Sequence, residues 1–265
     1  MFTYDFMRLS FIAILIITPL FALLGTMVVN GHLSFFSDAL GHSAYSGIAI
    51  GVLLSASDMS VPMLIFAIIF ALLLNLVRHK NPQNADTIIS IFSSLGMALG
   101  LVILSKNGSF SKYSYLMVGD ILSISSSEII SLAVLLVIVI VFWCFFLNKL
   151  NSIIISAPIA HSRGIHTVLL DNFFIVIMAA VVILSIKWLG ILIINAMLIL
   201  PAAAARNISP NMRAYTCFSL IFAVSSGIGG LIISYYASVA AGPMIVVLSA
   251  CIYFVTLSLK KVLKN

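Results

Sequence analysis

The sequence predicts an all-α fold, a polytopic helical bundle embedded in a membrane, and three observations predict it. Of 265 residues, 63% are apolar and only 8% charged, against about 25% charged in soluble domains. The mean hydropathy is +1.26. The apolar residues gather in runs close to the ~20 residues that a helix needs to cross a bilayer, and most charges fall in the spacers between them. A soluble enzyme with a charged surface is excluded.

Breaking the chain at polar, Gly and Pro clusters gives nine candidate spans, at 9–29, 34–55, 61–77, 87–105, 128–147, 168–186, 189–205, 214–235 and 242–259. The first follows Asp5 and Arg8, is long for a signal-peptide core and has no small-residue cleavage site, so it reads as a permanent span. The sixth and seventh meet at Lys187-Trp188-Leu189-Gly190, which leaves eight spans plus a re-entrant piece as the alternative count. No soluble domain or short-period repeat interrupts the series, so residues 1–265 read as a single transmembrane domain.

Orientation follows from the excess of Lys and Arg in cytoplasmic loops. With the amino terminus outside, nine of the 13 basic residues are cytoplasmic: Arg78, Lys80, Lys149, Arg163, Arg206, Arg213, Lys260, Lys261 and Lys264. Arg8, Lys106, Lys112 and Lys187 fall outside with Asp5, Asp58, Asp120 and Glu128, leaving that face nearly neutral. The formal charge of +6 is thus a topology signal, and no basic-aromatic stripe points to nucleic acid.

Two spacers exceed a simple turn. Residues 106–127 are rich in Ser and Gly and include Tyr113, Tyr115 and Met117, which suits a segment lying at the outer interface. The other, residues 148–167, is cytoplasmic by the charge bias, and within it 156–166 have Pro158 near the start and Gly164 near the end, the punctuation of a short helix. A short helix there is expected to dock on something soluble. Gly47 with Gly51, Gly96 with Gly100, and Ser226 with Gly230 are small residues at four-residue spacing, which lets helices approach closely.

Cys144, Cys217 and Cys251 lie singly in apolar runs and read as small residues of the membrane core, not as a disulfide or thiolate metal site. The 11 methionines are scattered and read as packing.

An ionisable side chain within a span is costly enough to be a functional candidate by default. Asp38 and His42 are four residues apart, which stacks them on one helix face. With the span starting near Gly31 to Ser34, His42 lies roughly 12–16 Å along the helix at 1.5 Å per residue, close to the midplane, where transporters bind substrate. One carboxylate and one imidazole suit zinc or manganese better than magnesium or calcium, and the lack of thiolates disfavours copper(I). The competing reading is an ion pair that only fixes packing. Two ligands cannot complete a coordination shell, so Asn195, Ser93, Ser94 or a symmetry mate's pair would have to contribute. Asn195 is also read as an interhelical hydrogen bond.

The other histidines carry less. His79 reads as solvated in the basic loop, His161 and His166 as partner contacts, and His32 as a residue of the exit path. No phosphate-binding loop, nucleophile elbow or His-Glu-x-x-His motif occurs, so any ATP hydrolysis belongs to another chain.

The segment from Ser34 through Asp38, His42 and Gly47 to Gly51 resembles the Ser/Gly-Asp-x-x-x-His-x-x-x-x-Gly motif of the ABC-3 metal-importer permeases. Asp86-Thr87, Gly119-Asp120, Leu200-Pro201 running to Arg206, and Ala241-Gly242-Pro243 match in the same order, so the similarity runs nearly end to end. The resemblance implies a permease of type II importer build in the bacterial plasma (inner) membrane, an all-helical homodimer with no permanently bound cofactor. It implies an ATPase dimer that binds the ATP, seated on a coupling helix whose residues would include Ala157, Ala160, His161, Arg163 and Gly164. It also implies a periplasmic or extracellular metal-binding protein, and a metal site at Asp38 and His42. Zinc-importing relatives often carry a histidine in the stretch after Asp-Thr where this chain has Ser93-Ser94, which keeps manganese beside zinc. A permease for a metal chelate or vitamin, and a transporter or channel working alone with the pair as a proton relay, are the alternatives.

Overall fold

The computed structural model describes residues 4–81, 84–106, 108 and 110–263; Lys264 lies outside them. The described residues contain helices and no strand. Nine helices are long: α1 (Asp5–Asn30), α2 (Ser34–Leu53), α3 (Ser60–Lys80), α4 (Ala85–Lys106), α6 (Ser126–Ile155), α8 (Thr167–Leu189), α9 (Ile191–Ile208), α10 (Met212–Ala237) and α11 (Ala241–Leu263). Two short α-helices, α5 (Phe110–Tyr113) and α7 (Ala157–Ser162), lie in the two long spacers. Each expected span coincides with one long helix, but α6 overruns its expected end at 147. Asn148, Lys149 and Asn151 interrupt the apolar run without interrupting the helix, which continues until the chain approaches Pro158.

Eight of these helices are long and apolar enough to cross a membrane; α2 is the long helix that does not qualify. Its serines, glycines, Asp38 and His42 dilute it, so it depends on protein neighbours. It lies against α3 and α4, and Ser37, Ser43 and Ser46 are buried with them.

By tertiary contact the chain forms two compact units interleaved in sequence. The first comprises Met1–His32, Val118–Asn148 and Lys187–Asn265; the second comprises Leu33–Met117 and Lys149–Ile186. Within the first, α1 packs on α9 and α10, and α9, α10 and α11 pack on one another. Gly25 of α1 meets the Leu198 carbonyl, and Gly227 of α10 meets Thr18 and Ile14 of α1, close approaches of the kind small residues permit. The three cysteines are free and exposed, each on a helix long and apolar enough to cross a membrane.

The contact between spans six and seven is a sharp break within the first unit. Gly190 separates α8 from α9 with φ 77° and ψ 158°, a region that only glycine occupies without strain of about 1–3 kcal/mol. A Cβ on Gly190 would also lie 2.5 Å from the backbone nitrogen of Gly119, itself at φ 69°. Residues 120–128 are anchored here: Asp120 N–H donates to the Lys187 carbonyl at 3.4 Å, Ser10 Oγ to the Ile121 carbonyl at 3.1 Å, and Lys187 pairs with Glu128. Gly190→Ala is therefore expected to reduce the yield and melting temperature of detergent-purified protein, because backbone atoms must move and the φ is strained. A melting curve matching wild type would refute this.

Candidate metal site

Within the second unit α2 and α4 come close because α4 has no side chain at Gly100. The Ser46 hydroxyl donates to the Gly96 carbonyl, and a Cβ on Gly100 would lie 2.5 Å from Ser46 N. On the other flank Gly47 faces Met63 of α3, where a Cβ would lie 2.7 Å from the Met63 Cα. These contacts hold α2 in place.

On this fixed helix Asp38 Oδ2 lies 3.6 Å from His42 Nε2, as the i,i+4 spacing predicts. The Asp38 side chain is 45% exposed and that of His42 24%. The pair is therefore reachable from outside the unit. His42 Nδ1 is enclosed and has no hydrogen-bond partner. In resident metal sites the second ring nitrogen almost always donates to a carboxylate, carbonyl or water, which fixes the ring; here only the Asp38 side of the imidazole is held.

Of the further ligands expected from sequence, Ser93 and Ser94 lie on α4, which packs on α2. Ser93 is half-buried and Ser94 exposed on α4, and Asn195 is half-buried on α9 in the first unit. Among the described residues no group of three or more His, Cys, Asp or Glu side chains could hold a metal ion. His32 is exposed, in the turn between α1 and α2 with φ 55°.

The expected coupling segment forms α7, and its turn closes with Gly164 at φ 75° and Ile165 N–H donating to the Ala160 carbonyl. Ala160 is buried, while Ile159, His161, Arg163 and Gly164 are exposed; the Ala157 side chain lies outside the described residues. His161, His166, Thr167, Val168, Leu169 and Asn172 line a recess of about 380 Å³ beside it.

A polar cluster at the start of α8 was not anticipated. Asp171 Oδ2 accepts from Arg78 Nη2 at 2.7 Å and lies 2.8 Å from His79 Nε2. Asn75 Nδ2, on the same helix α3, donates to Asn172 Oδ1 at 2.6 Å. His79 is thus paired, not simply solvated. The available signal was Asp171 itself, an ionisable residue inside a predicted span.

The sequence matches the family described as the ABC 3 transport family over residues 3–260. The chain belongs to the ABC 3 transport family. Among relatives of this ABC 3 chain, the high-affinity zinc uptake system membrane protein ZnuB of Haemophilus influenzae is 29% identical, with 92% of this chain and 93% of the relative covered. The manganese transport system membrane protein MntC of Listeria monocytogenes is 25% identical, over 95% of this chain and 90% of its own. PsaBC from Streptococcus pneumoniae, solved in complex with Fab, has the same fold: the TM-score is 0.83 at 22% identity, covering 96% of this chain and 91% of that one.

Proposed function

We infer that this ABC 3 family chain is the membrane-spanning subunit of an ATP-driven importer of a divalent transition metal, zinc first and manganese second. The carrying observation is the Asp38–His42 pair, one carboxylate and one imidazole 3.6 Å apart on the long helix that is too polar to face lipid unaided. Relatives named for zinc and for manganese uptake support the substrate class. The chain is a multi-pass protein of the bacterial inner membrane by this reading.

The pair takes the metal as cargo. An anionic oxygen offsets part of the ion's charge, and the imidazole supplies the nitrogen that borderline metals prefer. Two donors bind weakly enough for release, and a ring held on one side can turn away as the ion leaves. A second copy of the chain in a homodimer would bring a second pair and a four-donor shell. A binding protein outside would deliver the ion near residues 106–120. An ATPase dimer seated on α7 would bind and hydrolyse ATP, driving alternating access.

The test is uptake of labelled zinc and of labelled manganese by cells expressing the chain with its ATPase and binding protein. Uptake of zinc in preference to manganese is expected. Preference for manganese would reverse the order, and uptake of a metal chelate but neither free ion would overturn the reading.

A further inference from the structure

We propose that Asp171 is a positioning residue that carries movement of the cytoplasmic α7–α8 segment to the metal-bearing helix α2. The proposal rests on the transport reading above, and all of its residues belong to the second compact unit.

Asp171 and Asn172 occupy the first turns of α8, just after α7. Asn172 faces two ways: it lines the recess shared with His161 of α7, and it accepts from Asn75 of α3 at 2.6 Å. One residue earlier, a single oxygen of Asp171 gathers both Arg78 and His79, two of the three basic residues in the last turn of α3. The Arg78 and Asp171 side chains are 16% and 15% exposed, so this pair is largely withdrawn from water. The Arg78 guanidinium carbon then lies 5.9 Å from the centroid of the Phe36 ring, within cation–π range. Phe36 is fully buried on α2, two residues before Asp38. An unbroken run of polar and cation–π contacts thus leads from the recess beside α7 to the turn of α2 that holds the candidate metal ligand.

A purely structural role explains this cluster poorly. Replacing a buried ion pair by well-packed apolar residues is often neutral or stabilising, and most of the residues of α3 and α8 are apolar. What an ion pair adds is a discrete, directional connection: the end of α3 follows the carboxylate of α8, and Phe36 follows Arg78. Sparse networks of this kind count as coupling only when the coupling itself is measured.

The experiment reconstitutes the complete complex of permease, ATPase and binding protein in liposomes and measures labelled zinc, with manganese in parallel, taken up per ATP hydrolysed. Asp171→Asn keeps the side-chain shape and one acceptor but removes the charge. It is expected to retain ATPase co-purification, basal ATP hydrolysis and the metal KM, while uptake per ATP falls about tenfold, within the usual range for coupling between sites. Asp171→Glu, which restores the charge, is expected to recover part of the ratio, and Arg78→Gln to reproduce the loss. Wild-type coupling in Asp171→Asn, or a fall in uptake matched by an equal fall in assembly and ATP hydrolysis, overturns the role of Asp171. A wild-type complex that takes up neither ion overturns the transport reading itself.

Discussion

Alanine in place of Asp38 is expected to bring uptake of the cargo ion to background, more than about 100-fold below wild type, at unchanged expression. Loss of a residue that merely orients a metal ligand costs 10- to 100-fold, so loss of the one anionic donor should cost more. Folding should survive. The Asp38 side chain is 45% exposed, and truncation of exposed side chains outside a special backbone feature usually changes stability by no more than about 0.5 kcal/mol. Asp38→Asn separates charge from shape, and the same loss of uptake is expected because the charge carries the attraction. His42→Ala should follow in the same direction. The measurement is labelled zinc and manganese uptake at matched membrane abundance. Near-normal uptake by an abundant Asp38→Ala protein would mean that the pair fixes packing and that the ion passes elsewhere.

The helices and this pair were legible in the sequence because each depends on neighbours within a few residues. Apolar run length places the nine long helices, and the Gly190 break shows as a meeting of two spans. Asp38 and His42 are one helical turn apart, so their approach needs only that α2 be a helix. The Asp171 cluster needs the tertiary fold: Arg78 and Asp171 are 93 residues apart, and only the placement of α8 beside the end of α3 converts a basic loop residue such as His79 into a buried carboxylate's partner. The end of α6 was misplaced for a local reason. Polar residues stop an apolar run, but without Pro or Gly they do not stop backbone hydrogen bonding.

Gly96 and Gly100 look equivalent in sequence, as two ends of one small-residue motif on α4, yet a methyl group at each should have opposite consequences. At Gly96 the nearest atoms to an added Cβ are Phe70 Cε2 at 3.5 Å and Ser43 Cα at 3.6 Å, ordinary van der Waals contact. Gly96→Ala should therefore melt within a degree or two of wild type and transport normally. At Gly100 the Cβ would press on the backbone of Tyr45 and Ser46, with Ser46 N at 2.5 Å. Backbone in a helix cannot rotate aside as a side chain can, so α4 and α2 must separate. Overpacking of this kind costs about 1–3 kcal/mol. The cost falls on the helix least able to bear it, since α2 is too polar to trade its protein neighbours for lipid. Gly100→Ala should lower the melting temperature of the purified protein by several degrees. It should also impair uptake beyond the loss of protein, because Asp38 and His42 ride on α2. Thermal unfolding in detergent and uptake per molecule, measured on both variants together, decide the matter. If Gly100→Ala behaves like Gly96→Ala, the α2–α4 contact is looser than described and cannot be what holds the metal pair in position.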